Sequence, residues 1–199
     1  MIALSLGMAA PRAEAKPFDQ AFIDGMTPHH QMAQMMAQME LKNGSLPEVK
    51  RLARKIINEQ SKEVAQMKAL RGRLYGSSQI PPVPGMRHSM KGSSNSMPGM
   101  MPGADMMMTP GMMMGMPMQM KMDMGKLMTA RGREADRLFL RMMIPHHASA
   151  VTMSDEALKT SGNPAIRTLA AKIMDSNAEQ IGTMHSIYDR RFGSLAKSR

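Results

Sequence analysis

Four of the six histidines in this chain lie in two copies of a Pro-His-His motif. The pairs are His29-His30 and His146-His147, and a methionine stands three residues before each pair, Met26 in the first and Met143 in the second. Neutral imidazole and thioether groups are ligands for copper and for other soft or borderline metal ions. The motif and its methionine therefore predict two metal-binding segments.

The two motifs belong to an internal duplication with a constant offset of 117 residues. Identical residues recur at this offset along both halves, and the pairs include Asp19/Asp136, Phe22/Phe139, Pro47/Pro164 and Met67/Met184. Each half is therefore expected to fold in the same way around its own histidine pair.

Helical spacing groups the ligands of the first copy, because residues three, four and seven apart share one face of a helix. This spacing aligns His29 with Met32 and Met36, and it aligns Met26 with His30. A continuous row of sulfur atoms is formed by Met32, Met35, Met36 and Met39. Adjacent side chains on a helix point about 100° apart. His29 and His30 are therefore expected to serve two sites, or one site and one structural hydrogen bond.

The second copy contains less sulfur. Met143 and His147 are four residues apart, and His146 and Met153 are seven apart. The positions that correspond to Met32, Met35 and Met39 are occupied by Ser149, Thr152 and Glu156. We therefore expect unequal affinities, with the strongest soft-metal binding in the first copy, between Met26 and Met39.

Methionines on the following helices extend both arrays. Met67 and Met184 occupy matching positions, and His185 adds an imidazole next to Met184. They are expected to complete sites across each hairpin. The competing interpretation is a core role, since methionine at helical spacing usually fills hydrophobic cores; it applies to Met67, Met153, Met174 and Met184. The sulfur row of the first copy covers more than one helical stripe, so some of its members are expected to be exposed.

Methionine is unusually frequent in this chain, with 30 Met against 13 Leu. Seventeen of the methionines lie between Met86 and Met128, together with His88. There is no cysteine, which excludes disulfides, thiolate metal sites and CxxC redox chemistry. Thioether sulfur favours soft cations, so Cu(I) is the expected ion, with Cu(II) as a second oxidation state and Ag(I) as a plausible surrogate.

The formal net charge of +10 does not by itself indicate a nucleic-acid partner. The basic residues are scattered, lack interleaved aromatic residues and form no nucleic-acid-binding motif, so we interpret them as solvated helix faces. Calcium and magnesium sites need clustered carboxylates, so the positive charge of the chain disfavours a protein that binds these ions. The chain also lacks Glu-x-x-His motifs, a nucleophile elbow and a phosphate-binding loop. No enzymatic activity is predicted.

Residues 1–15 resemble the end of a signal peptide, with a short apolar stretch followed by Ala13, Glu14 and Ala15 as an Ala-x-Ala cleavage site. The basic n-region of a signal peptide is missing, so the alternative is that these residues form a small apolar N-terminal arm. No apolar run approaches the roughly 20 residues of a membrane span. The sequence predicts a periplasmic or secreted protein without a transmembrane segment.

Apolar residues at helical spacing predict two helices in each half. In the first half a turn at residues 43–45 separates them, and the second helix begins near Pro47, since proline is favoured at the first helical position. Pro164 predicts the same start in the second half. Pro28 and Pro145 interrupt helical stretches, so each helix is expected to kink or to restart there.

The chain is thus divided into a signal-peptide remnant (1–15), a first helical hairpin (16–75), a disordered Met/Pro/Gly-rich linker (76–130) and a second hairpin (131–199). Two amphipathic hairpins bury their apolar faces by docking together. The predicted fold is all-α, a four-helix bundle with a ferritin-like up-down arrangement. The alternative is docking between chains, so the sequence allows a monomer or a dimer.

A pattern of Phe-x-x-x-Met-x-Pro-His-His-x-x-Ala begins at Phe22 and is repeated from Phe139. The first copy continues with Gln60-x-x-Glu63-Val64-x-x-Met67. Over residues 17–75 and 133–192 the chain resembles the CopM-like copper-binding members of the domain-of-unknown-function family 305. The resemblance implies a helical bundle and, outside the cytoplasm, copper binding that protects against excess metal.

The second copy departs from this pattern, with Asn177 and Gln180 in place of Gln60 and Glu63. A shared role for Glu63 is therefore in doubt. The leading hypothesis is an exported protein that sequesters copper and contributes to copper resistance and homeostasis. The alternative is a copper chaperone that delivers metal to an exporter or an electron-transfer partner.

Overall fold

The computed structural model describes residues 17–81 and 118–195. These residues form five helices and contain no strand. The helices are α1 (Phe18–Asn43), α2 (Pro47–Tyr75), α3 (Met118–Thr129), α4 (Arg133–Thr160) and α5 (Pro164–Phe192). The predictions for residues 1–15, for His88 and for most of the methionine-rich segment lie outside the described residues.

The predicted helix starts at the two repeated prolines are confirmed. Pro47 and Pro164 each occupy the first turn of their helix, where the missing N–H of proline has no helical partner to lose. Asn163 caps α5 because its side-chain oxygen accepts from the Ala165 N–H at 2.9 Å. The connections before both helices are short, so each pair of helices forms a hairpin.

Pro28 and Pro145 lie inside continuous helices, so the alternative in which each helix restarts at its proline is wrong. Proline removes one backbone donor from the helix interior. The buried Thr27 hydroxyl donates to the Ile23 carbonyl at 2.8 Å in the turn that leads into Pro28. Residues on both sides of the proline, such as Ile23 and Ala33, are fully buried, so packing holds α1 together through Pro28.

The hairpins α1–α2 and α4–α5 pack against each other mainly through α1 and α4, whereas α2 and α5 touch less extensively. The apolar stripes predicted from the sequence supply the core. One core cluster includes Met36, Ile56, Phe139 and Tyr188, and the other includes Phe22, Met67, Ile166 and Ile173. Both histidine motifs lie on α1 and α4 and therefore face the junction between the hairpins.

The composition of residues 76–130 predicts no regular structure, whereas residues 118–129 form the helix α3. This stretch contains no proline, and Met124 and Leu127, three residues apart, are fully buried in the core. The Asn43 amide donates to the Met128 carbonyl at 3.3 Å. The Gly132 N–H donates to the Asn43 carbonyl at 2.8 Å, with the glycine at a φ of 60°. Tertiary packing thus stabilises a helix that local composition disfavours.

Asp136 joins the two hairpins near the start of α4. Its fully buried carboxylate accepts from the backbone N–H groups of Ser45 and Leu46 at 3.0 to 3.2 Å and from the Ser45 hydroxyl at 2.8 Å. It thereby satisfies donors at the start of α2. The side chain of Glu40 is also fully buried, and it interacts with Asp136.

Gly44 leaves the space that the Glu40 carboxyl occupies, since a Cβ at Gly44 would lie 1.9 Å from Oε1 of Glu40. The second copy has Ala157 and Ser161 at the corresponding positions. Replacing Gly44 with serine is expected to destabilise the fold by about 1–3 kcal/mol through overpacking. Urea denaturation measures this change in the free energy of unfolding.

The double variant Glu40→Ala/Gly44→Ser reproduces the pair found in the second copy. It is expected to recover most of the loss, because the clash disappears with the carboxyl group. A double-mutant cycle isolates the coupling. Strictly additive effects of the two substitutions would contradict this explanation.

Candidate metal centre

The four motif histidines converge at the contact between α1 and α4. The rings of His29 and His146, which come from different hairpins, stack with their centroids 3.7 Å apart and their planes at 32°. In both motifs the neighbouring ring lies 6.2 Å away. Helical spacing assigns ligands within each copy, whereas the structure joins the two copies into one histidine cluster.

Burial keeps these imidazoles in the form that binds metals. It lowers the pKa of His29 to about 4, with further contributions from His30 and His147, and it lowers the pKa of His147 to about 4. Burial and the neighbouring histidines lower the pKa of His146 well below its ordinary value. Neutral imidazole is the ligand form of histidine. These three rings are therefore ready to bind metal ions at neutral pH without losing a proton.

Both ring nitrogens of His146 lack a hydrogen-bond partner among the described residues, although the side chain is only 6% exposed. His29 has one partner, with Nε2 lying 2.7 Å from the Ser149 hydroxyl. Buried polar atoms in folded proteins are nearly always paired, so an exception needs an explanation. A bound metal ion would satisfy the lone pair of His146.

The second histidine of each motif is anchored to the other helix of its hairpin. Nε2 of His30 lies 2.9 Å from Oε2 of Glu63, and Nε2 of His147 lies 2.6 Å from Oε1 of Gln180. Gln180 stands at the position that corresponds to Glu63. The doubt about a shared role for Glu63 is therefore resolved, because both residues hold the histidine of their own copy.

A cavity of about 720 Å³ has His146, three methionines and several charged residues in its lining. Its thioethers belong to Met32 and Met36 of α1 and to Met142 of α4, and Asp123 of α3 also lines it. A second cavity, of about 740 Å³, lies between α2 and α5, and its lining contains neither histidine nor methionine. The cavity at His146 is therefore the better candidate for a soft metal ion.

Met142 is a candidate ligand that the sequence arguments miss, because they pair Met143 with His147. Helical spacing contains the missing signal, since Met142 lies four residues before His146 on the same face of α4. Its pairing with α1 is not a local property of the sequence. The cavity lining thus combines methionines of both copies with one histidine.

The remaining sulfur ligands predicted from the sequence lie away from this cavity lining. Four of them are fully buried within the two core clusters, namely Met26, Met67, Met143 and Met184. Sδ of Met67 lies 3.6 Å from the Thr27 hydroxyl oxygen. Packing explains the burial of these four methionines, and their role as ligands stays a prediction.

The sulfur row of α1 is less exposed than expected. Met35 and Met36 are buried, and Met32 and Met39 are half-buried against the core. Met153 packs against the other core cluster, while His185 is half-buried on α5. The row is covered because α1 contacts α2, α4 and α3.

The described part of the chain has no metal site built from His, Asp and Glu side chains alone. In residues 17–81 and 118–195, no group of three or more His, Asp or Glu side chains is placed to hold a metal ion. Among the described helices, none is long and apolar enough to cross a membrane.

Comparison with known proteins places these features in a family. The sequence model described as "Domain of unknown function (DUF305)" matches residues 19–188. The structure is similar to CopM in the Cu(I)-bound form, with a TM-score of 0.64 and 30% identity over 89% of this chain and 100% of that chain. CopM is also known in a Cu(II)-bound form, at 33% identity over 87% and 97% of the two chains with a TM-score of 0.63, and in Ag-bound forms.

Two further relatives come from other organisms. A DUF305 fragment from Deinococcus radiodurans is 28% identical, over 88% of this chain and 98% of that chain, with a TM-score of 0.63. An uncharacterised protein of Acanthamoeba polyphaga mimivirus is 41% identical over 56 residues, which are 28% of this chain and 37% of that protein. The second match spans little more than a third of the curated relative.

Proposed function

This chain belongs to the DUF305 family, and on that premise we propose that it is an exported protein that sequesters copper as Cu(I) or Cu(II). Ag(I) is bound by the same groups. The observation that carries the proposal is the buried His146, which lines a cavity together with Met32, Met36 and Met142 and has no hydrogen-bond partner on either ring nitrogen among the described residues.

The donor set of this cavity fits soft metal ions. Thioether sulfur is neutral and polarisable and selects Cu(I), whereas imidazole binds Cu(I), Cu(II) and zinc. Carboxylates line only part of the cavity, at Asp123 and Glu134, and Lys126, Arg137 and Arg141 accompany them. The basic side chains disfavour ions such as Mg²⁺, which depend on anionic oxygen ligands.

The resemblance to CopM supports the same ions, because that protein is known with Cu(I), Cu(II) and Ag bound. We propose that α1, α2, α4 and α5 act as a four-helix bundle that holds the site. The methionine-rich segment between the hairpins adds capture sites. The role is binding rather than catalysis, and it contributes to copper resistance and homeostasis in the periplasm or outside the cell.

Titration of the full chain with Cu(I) against a competing chelator tests the proposal. We expect at least one ion to bind with submicromolar affinity, Ag(I) to displace it, and Ca²⁺ to have no effect. Deletion of residues 86–117 is expected to lower the number of bound ions while the tightest site remains. Failure of the full chain to bind one ion with submicromolar affinity would falsify the proposal.

A further inference from the structure

His30 has its hydrogen position determined by Glu63. Oε2 of Glu63 lies 2.9 Å from Nε2 of His30, and the other carboxylate oxygen, Oε1, lies 3.3 Å from the Ser176 hydroxyl. An ionised carboxylate only accepts hydrogen bonds, so Nε2 of His30 carries the hydrogen. In a neutral ring the lone pair is then on Nδ1, which is buried and has no partner among the described residues.

His147 has its hydrogen position determined by a longer chain of contacts. Nε2 of Gln180 donates to Oε2 of Glu59 at 2.6 Å, which fixes the orientation of the amide, because a carboxylate cannot donate. Oε1 of Gln180 therefore faces Nε2 of His147, at 2.6 Å, and accepts its hydrogen. The lone pair is again on Nδ1, which is also buried and without a partner in the described region.

We infer that Glu63 and Glu59 are positioning residues that hold His30 and His147 in the Nε2–H tautomer, so that Nδ1 of each ring binds a metal ion, with His30 favouring Cu(II). Metal binding at Nδ1 rests on the proposed copper binding, whereas the tautomers of the two rings do not depend on it. Both carboxylates lie on α2, yet Glu59 acts through Gln180 of the other hairpin. The two copies are therefore coupled beyond the contact between His29 and His146.

The preference for Cu(II) follows from the difference between Glu63 and Gln180. A carboxylate that accepts from a ligating imidazole increases its basicity, and loss of such a partner typically weakens metal binding by about 10- to 100-fold. Coulomb attraction scales with the charge of the ion, so the carboxylate favours Cu(II) over Cu(I). At His147 the directly bonded group is a neutral amide, and the carboxylate lies one residue further away. The duplicated sites thus differ in oxidation-state preference.

Long-range ¹H–¹⁵N correlation spectra of the metal-free protein test the tautomers directly. We expect His30 and His147 in the Nε2–H form. In Glu59→Ala the Gln180 amide is free to turn, so His147 is expected to populate the Nδ1–H form while His30 stays unchanged. The control Glu179→Ala removes a neighbouring surface carboxylate that pairs with Lys55 and leaves both rings unaffected. An Nδ1–H form of either ring in the wild type, or an unchanged His147 in Glu59→Ala, overturns the inference.

Separate Cu(I) and Cu(II) titrations of Glu63→Gln test the preference. Cu(II) affinity is expected to fall by about 10- to 100-fold and Cu(I) affinity by about 3- to 10-fold, since the ion has half the charge. The control Glu179→Gln changes neither. Equal losses for the two ions, or no loss, contradict the preference of His30 for Cu(II). A wild type that binds neither ion refutes the proposed function, while the tautomers measured without metal still decide the positioning roles.

Discussion

Replacing His146 with alanine is expected to weaken the tightest Cu(I) binding by at least about 100-fold, more than the loss of an outer-shell partner typically causes. His146 lines the cavity together with Met32, Met36 and Met142, and both of its ring nitrogens lack a hydrogen-bond partner within residues 17–81 and 118–195. Its removal leaves a cluster of thioethers without their shared imidazole. Competition titrations with a Cu(I) chelator measure the change.

The matched control is His185→Ala, because His185 is half-buried on α5 and does not line the cavity. It is expected to bind Cu(I) as the wild type does. Met36→Leu and Met142→Leu keep the volume while removing sulfur, so each is expected to weaken Cu(I) binding with a stability loss below about 1.5 kcal/mol. If His146→Ala retains wild-type affinity and His185→Ala does not, the site has been assigned to the wrong histidine.

The stability of the metal-free protein is expected to fall above pH 6.5 because of Glu40. Burial and the neighbouring Asp136 carboxylate raise the pKa of Glu40 from 4.5 to about 9. Between these values the folded state retains a proton that the unfolded state has lost. Rising pH therefore lowers the free energy of unfolding, by about 1.4 kcal/mol per pH unit from this group.

Below pH 6.5 the buried histidines produce the opposite slope. The pKa values of His29 and His147 fall from 6.5 to about 4 on folding, and that of His146 also falls. In this range the unfolded state binds more protons, so stability is lost as the pH falls from 6.5 through 4. Three such groups outweigh Glu40 there, and maximum stability is expected near neutral pH.

Urea denaturation in the presence of a metal chelator, across this pH range, measures both slopes. Glu40→Gln keeps the shape of the side chain but cannot ionise. The free energy of unfolding of this variant is therefore expected to fall less steeply above pH 6.5 than that of the wild type. The exposed Glu156 supplies the control, and Glu156→Gln should keep the wild-type profile. The explanation fails if Glu40→Gln retains the full alkaline decline.

The hairpins were predictable because each is encoded by local signals. Apolar stripes, the turn at residues 43–45 and the prolines at the start of α2 and α5 all act within one hairpin. α3 was not predictable from composition, since its stability depends on the burial of Met124 and Leu127 in a core built by other helices. The Glu40–Gly44 contact is similarly visible only in three dimensions.

The residue types of the candidate site could be predicted from the sequence, but its assembly could not, and the role of these residues as ligands stays a prediction. Pattern and spacing identified the histidine pairs and the sulfur row of α1. They could not show that α1 packs against α4, so the stacking of His29 on His146 and the contribution of Met142 were missed. The equivalence of Glu63 and Gln180 was hidden because one is a carboxylic acid and the other an amide, although each lies within hydrogen-bond distance of the histidine of its own copy.

Anomalous X-ray diffraction from crystals loaded with one equivalent of Cu(I) tests the central claim most directly, because it locates the ion without assuming its ligands. We predict the main copper peak between α1 and α4, within bonding distance of His146 and of sulfur from both hairpins. A main peak bound by ligands of a single hairpin, or one away from His146, would contradict a site shared by the two copies.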